Sequence, residues 1–508
     1  MNKILKTSLT ILGILFFCIL LKSGVKFYNV IGIVGLYGSV YYFMILNSEE
    51  IENFYLKEIM TVLISYNLQK TPFLLHREVY KNKFYLTVNI IIISLSFLIF
   101  IYKIIKNKKY KINDILIFMY EFLIISLPFY IIKSRGKQTI ILLCLIVLIK
   151  IFYKKEVVFD KDIKVIYLNL FFLMLFSTTS FIGNEIINEQ LEKYKDFIEN
   201  IIFLMFFIQM KFSVEEIKKM EVIGITSTLI PIIPIIVKFF EIKNIYFRFG
   251  EDNPNVWAME GTIWAIVFLY FILFKDKKQY VLLFLLYIFG VFLSGSRGGI
   301  LTMLVMNFIV FILKYKYCKK VLIGICCFGI LTLVGVLKTN NRISYTVNLI
   351  KNENKLDNSS NIRLLIYKEA IAQFKEKPIN GLGFYGYQNN AIKRNLKNPS
   401  KKLEYIEENA YSQAHAHNNI LNLLCTVGLL GAISYISLIF LLIKKLFKEK
   451  LEYYFIVIIC LFSYEACGLV DCSFNYDGIQ RMLYFIVGIY IAYVTPKINF
   501  LKKEKLEQ

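Results

Sequence analysis

The sequence predicts an all-α protein: a polytopic transmembrane helical bundle of about 12–16 helices with one long extracytoplasmic loop. Three observations predict it. Of the 508 residues, 57% are hydrophobic, too many for a soluble globule. Uncharged runs of membrane-spanning length recur along the whole chain. The positive charge, formally +23, sits in short clusters between those runs rather than on one domain. Membrane topology explains such clusters better than nucleic acid does, so no nucleic-acid partner is expected.

The apolar segments lie, in order, at 4–21, 30–46, 84–105, 115–132, 139–152, 165–182, 197–210, 222–240, 256–274, 281–293, 300–313, 321–337, 418–443, 453–470 and 482–494. Several are short, which gives about 14 crossings; the run 59–66 reads as re-entrant or interfacial. Lys3 and Lys6 precede the first apolar run as in a signal sequence, but no small-residue cleavage site follows, so the run reads as a retained helix. Most of the nine cysteines lie inside apolar segments without C-x-x-C or metal-ligand spacing.

The Lys-rich links 275–278, 314–320 and 444–450 and the tail 497–505 fall on one side by alternate crossing, which makes that side cytoplasmic. The links 247–255, 294–299, 338–416 and 471–480 then face outward. The chain divides into N-terminal helices 1–220, helices with arginine motifs 221–337, an outer loop 338–416 and C-terminal helices 417–508. Within the loop, Ser359-Ser360 open a helical pattern that ends at Lys375, Lys377 and Pro378, and a glycine-punctuated turn, 380–386, follows. Such a loop is expected to lie as a lid beside His417.

Arginine is rare: only eight of the 60 basic residues are arginine. Where composition defaults to lysine, an arginine marks a need for a planar, bidentate fork. Arg248, Arg297, Arg342, Arg363, Arg394 and Arg481 all lie on outward links or their edges. Gly295-Ser296-Arg297-Gly298-Gly299 offers freed backbone N–H groups and a guanidinium to an anion, or else a tight hairpin with a snorkelling arginine. Arg248, before Asn253-Pro254-Asn255, has the same two readings. Arg363 falls in the first turn of the loop helix, and Arg394 reads as a surface charge.

Two of the three histidines lie in His415-Ala416-His417-Asn418-Asn419, at the entry to a long apolar run. At 100° per residue, His417, Leu421, Leu424, Gly428 and Gly431 share one helix face, so a base at its end tops a small-residue stripe suited to close helix packing. A helix N-terminus would keep the imidazole neutral; the competing reading is an ordinary interfacial histidine. His415, two positions away on a helix, is expected to face elsewhere. Asp471 and Asp477 are the acidic candidates on the last outward link. Asp160-Lys161-Asp162 imitates a nucleotide-sugar metal motif but reads as a solvated turn, and His76 has no evident partner.

These residues together resemble the O-antigen ligase and O-antigen polymerase family of bacterial envelope glycosyltransferases. The likeness covers 248–431: Arg248 to Asn255, Gly295 to Gly299, the loop helix with Pro378 and Gly381-x-Gly383, and His417-Asn418 followed by Gly428-x-x-Gly431. It implies His417 as catalytic base, Arg297 as catalytic and diphosphate-binding, Arg248 and Arg363 as diphosphate-binding, and Asn418 and Asp471 as further site residues. It implies an inner-membrane enzyme that moves a glycan from an undecaprenyl-diphosphate carrier to a sugar hydroxyl on a lipid or glycan acceptor at the periplasmic face. Transfer to lipid A-core (a ligase) is favoured over joining repeat units on the carrier (a polymerase), and both over flipping without chemistry. No carboxylate cluster demands a divalent ion, so an inverting reaction with no metal and no cofactor is expected.

Overall fold

The computed structural model describes residues 2–21, 26–49, 51, 56–70, 83–106, 112–133, 135–154, 156–158, 160–182, 188–210, 212–242, 253–315, 358–384, 386–396, 405–447, 451–469, 471–494 and 497–499. Among these the fold is all-α, with one short antiparallel ribbon pairing β1 (Glu156–Val158) and β2 (Lys497–Asn499). Seven helices are long and apolar enough to cross a membrane, and four shorter apolar helices accompany them. His76, Arg248, Arg342 and the apolar segment 321–337 lie outside the described residues.

The chain forms two compact units. The first contains residues 1–155, 212–254 and 264–294. Its helices are α1 (Lys3–Leu21), α2 (Lys26–Asn47), α3 (Lys57–Lys70), α4 (Lys83–Lys106), α5 (Ile112–Ile132), α6 (Gly136–Ile149), α9 (Val214–Ser227), α10 (Leu229–Ile242), most of α11 (Pro254–Phe274), and α12 (Val281–Leu293). The segment 59–66 lies inside α3, which is 14 residues long. Residues 220 and 221 lie inside α9, which starts at a capping box: Ser213 Oγ accepts the Glu216 N–H and the Glu216 carboxylate accepts the Ser213 N–H. A break at Thr228 separates α9 from α10, and the Tyr287 hydroxyl donates to the Thr228 carbonyl, 2.7 Å away. Pro254 opens α11, where its missing N–H costs nothing.

The second unit carries residues 156–211, 255–263 and 295–508. It contains α7 (Lys161–Thr179), α8 (Asn188–Ile208), α13 (Arg297–Tyr315), α14 (Asn358–Glu376), α15 (Gly386–Ala391), α16 (Tyr405–Tyr411), α17 (Asn419–Phe447), α18 (Leu451–Gly468) and α19 (Asp477–Val494). Helix α7 shows why the solvent is lipid. Ile163, Ile166, Leu170 and Leu173 are buried on one face while Val165, Leu168, Phe171 and Leu175 lie exposed on the other. An exposed face as apolar as the core suits hydrocarbon and not water.

One end of this unit gathers the termini that carry polar residues. The Asn380 amide donates to the Thr179 carbonyl at the end of α7. Thr302, in the second turn of α13, is hydrogen-bonded to Cys467 near the end of α18. At the opposite end Asp160 caps α7 through the Ile163 N–H and pairs with Lys445, so the imitation metal motif is a helix cap with a buried ion-pair partner.

The glycine pattern of α17 acts differently from the expected packing stripe. Gly428 takes φ +66° inside α17, where the helical hydrogen bonding is interrupted. The turn after α14 enters that gap: Leu382 and Gly383 N–H donate to the Cys425 and Thr426 carbonyls, and Leu429 N–H donates to Pro378 O. A Cβ on Gly428 would overlap the Ile379 carbonyl, and one on Gly381 would overlap that of Thr426. The close neighbour of Gly428 is thus the loop's backbone rather than another helix, and that of Gly431 is the Val427 side chain of α17 itself. Above them, Ile366 and Ala370 of α14, Tyr387 and Ala391 of α15 and Ala410 and Tyr411 of α16 pack with Ala416 and Cys425 into one core.

Candidate active site

Helix α17 begins at Asn419, and His417 lies before it with φ +47°, a left-handed backbone that β-carbon sterics normally exclude. The expected helical face running from His417 to Gly431 is therefore corrected: the two histidines sit in a tight turn, and their rings approach to 4.4 Å instead of facing apart. Three groups hold the turn. His415 Nδ1 accepts the His417 N–H at 3.2 Å, Asn422 Oδ1 accepts the Ala416 N–H, and the Tyr367 hydroxyl donates to the His417 carbonyl at 3.3 Å.

Asn418 caps α17, its Oδ1 accepting the Leu421 N–H, while its amide donates to Leu469 O. Asn419 reaches across to the other side of the site. Its amide donates to Ser473 Oγ at 2.8 Å and to Glu465, and its Oδ1 accepts the Phe474 N–H. Gly468 leaves the room that Asn419 fills. These bonds fasten the segment after α18 to the start of α17 and bring Asp471 beside His417.

His417 Nδ1 lies 2.8 Å from Asp471 Oδ1, and His417 Nε2 lies 3.1 Å from Gln413 Oε1. Asp471 is 3% exposed; its Oδ1 also accepts the Cys472 N–H, while its Oδ2 is buried without a hydrogen-bond partner. Burial opposes charge there, but the hydrogen bond and the charge of His417 outweigh it and hold the carboxyl down at about 2. The geometry orients the imidazole, fixes which nitrogen faces the carboxylate, and places a counter-charge against any proton the ring accepts. His415 is held down to about 4, by burial first and then by the charges of His417 and Lys193, so it is neutral and its Nδ1 stays an acceptor.

Arg297 is the first residue of α13, half-buried, at the end where Thr302 meets Cys467 and α18 leads into Asp471. Gly299 permits the entry of this helix: a Cβ there would come within 2.6 Å of Ala258 Cβ. Arg363 lies one turn before Tyr367 on α14. Burial raises the Tyr367 phenol while Arg363 and Asp471 act on it with opposite sign, so both charges lie near this tyrosine. Asp477 belongs to a neighbouring polar cluster: Asn200 donates to it and to Gln480, and Arg481 Nε donates to Asn200 Oδ1 at 2.9 Å.

Arg394 lies exposed, as the sequence reading has it, and from there it pairs with the buried Glu369 at 3.2 Å and with Glu376. Among the described residues, His415, His417 and Asp471 offer ligand atoms within 4.8 Å of one another, a spacing a metal ion could use. Of these groups, His417 Nδ1 already faces Asp471 Oδ1 and His415 Nδ1 accepts the His417 N–H, while Asp471 Oδ2 has no hydrogen-bond partner among the described residues.

Sequence reasoning missed Gln413, Tyr367 and Asn419 and placed His415 wrongly. Only Tyr367 left a signal, one helical turn from Arg363. A 232-residue stretch covering 41% of the chain is 25% identical to an uncharacterized protein of Haemophilus influenzae, of which it spans 57% of the length. Residues 282–436, which run from α12 through Arg297, the outer loop and His417 into α17, match the family model described as O-antigen ligase.

Proposed function

We propose that the protein transfers a glycan from an undecaprenyl-diphosphate carrier to a sugar hydroxyl, at the extracytoplasmic face of the bacterial inner membrane. The observation that carries the reading is the His417–Asp471 pair, 2.8 Å apart in a strained turn at the helix end where α13 begins with Arg297. The acceptor hydroxyl attacks the anomeric carbon and gives its proton to His417 Nε2; Asp471 stabilises the imidazolium that forms. The bond from the anomeric carbon to the diphosphate breaks, and Arg297, with Arg363, takes up the charge that develops on the leaving group. A single displacement inverts the anomeric centre, and no step calls for a metal ion.

The acceptor we assign is lipid A-core, narrowly favoured over a carrier-linked glycan; the description of the matching family model, O-antigen ligase, supports that choice. Joining repeat units on the carrier uses the same chemistry with another hydroxyl. Membranes of a deletion strain complemented with wild-type or His417→Ala protein separate the two. Glycan newly attached to lipid A-core supports the ligase; longer chains still on the carrier overturn it in favour of the polymerase.

A further inference from the structure

His417 faces two oxygens at once. Nδ1 meets Asp471 Oδ1 and Nε2 meets Gln413 Oε1, and the Gln413 amide is oriented by its own donation to the Asn409 carbonyl at 2.8 Å. An oxygen at each ring nitrogen requires a proton on each, so in this arrangement the ring is an imidazolium with no lone pair to offer. The bare Oδ2 of Asp471 agrees with that state, because a buried carboxylate with an unmatched oxygen needs a cation at hand. Gln413 sits on the short link after α16, tied to the loop core by Gln388, whose amide donates to the Ser412 carbonyl.

We propose that Gln413 is a guard against hydrolysis: it occupies the proton-accepting nitrogen of His417 until an acceptor sugar hydroxyl displaces it, so that water is not activated against the lipid-linked glycan. The inference rests on the transfer reaction proposed above and deepens it. The step held in check is attack of a water oxygen on the anomeric carbon. Once Nε2 has lost to solvent the proton it shares with Gln413, the bond from that carbon to the diphosphate would break, the electron pair would leave with the diphosphate, and the water proton would pass to the freed lone pair of Nε2. A lone water offers one hydrogen bond in exchange for the one Gln413 makes, and gains nothing. An acceptor is held by the rest of its glycan, and that binding offsets the displaced bond. Gln413 Oε1, 3.1 Å from Nε2, marks where the acceptor oxygen arrives. Gln413 is thus a positioning residue for the base, and its loss should change the partition between water and sugar rather than the chemistry itself.

The test uses the full-length protein in detergent with lipid-linked glycan extracted from cells that lack it, with and without lipid A-core. Gln413→Ala and the bulk-preserving Gln413→Leu should release undecaprenyl diphosphate without acceptor about ten- to a hundredfold faster than wild type, the range for one hydrogen bond to a charged group. Both should still transfer to the acceptor. Gln413→Glu, which strengthens the hold on the imidazolium, should lower transfer and hydrolysis together. Release at the wild-type rate by folded Gln413→Ala and Gln413→Leu would overturn the guard, and so would loss of transfer in both. The parent reading fails separately: if His417→Ala transfers normally, His417 is not the base, whatever Gln413 does. If His417→Ala is inactive and the Gln413 variants do not leak, only the guard fails.

Discussion

At the scale of single residues, the site depends on a backbone that His417 would not choose alone. A left-handed φ on a non-glycine residue costs on the order of 1–3 kcal/mol and persists only where neighbours over-determine it. His415 is one such neighbour, through the bond from the His417 N–H to its Nδ1. His415→Ala is therefore expected to cut transfer at least about tenfold, since the bond it removes is worth on the order of 1 kcal/mol and relaxation of the turn adds to that. The same residue sets a pH dependence. The folded protein binds the His415 proton only near pH 4, whereas an unfolded chain binds it near 6.5. The unfolded state thus holds more protons between those values, and stability falls as pH drops through that window. Thermal unfolding in detergent should show this fall in the wild type and a shallower one in His415→Asn, whose side chain can still accept the His417 N–H. His417 was legible in the sequence because histidine is rare and this one ends a polar stretch before an apolar run. The arrangement around it was not, because hydrophobic periodicity carries no sign of one residue in the left-handed region.

Among the elements, the decisive join is between α17 and the turn at 378–383. The loop helix α14 was readable from Ser359-Ser360 at one end and Pro378 at the other, and the structure has it at Asn358–Glu376. The break at Gly428 was not readable. Gly-x-x-Gly in an apolar run describes close helix packing as well as it describes an interrupted helix, and only the partner decides. Here the partner is a peptide backbone that donates to and accepts from α17 across the break. Gly428→Ala must place a methyl against the Ile379 carbonyl at a positive φ, so the turn should detach, at a cost of about 1–3 kcal/mol. Limited proteolysis is the measurement: faster cleavage between α14 and α15 in Gly428→Ala than in wild type is expected, and equal rates would show that the join is not needed to hold the loop.

For the whole molecule, composition and charge clusters were enough to reveal an all-α membrane protein, because lipid imposes helices and an apolar exterior on any chain that crosses it. The exact elements were less legible. The 222–240 segment, for example, belongs to a longer run, Val214–Ile242, that a short break divides. The orientation we propose rests on the lysines: His417 and Lys444 lie at opposite ends of α17, and a cytoplasmic Lys444 would put His417 outside. In a cysteine-depleted background, an impermeant thiol reagent added to intact spheroplasts should label Lys368→Cys and spare Lys444→Cys; the reverse pattern would invert the topology. The central claim is that a protein base, without a metal, drives glycan transfer, and the rate of transfer by purified His417→Ala in the presence of a chelator tests it most directly. A loss of about 10²- to 10⁴-fold is expected with donor binding intact, while wild type keeps its rate in the chelator. Near-normal transfer by His417→Ala, or loss of wild-type transfer on chelation, would contradict it.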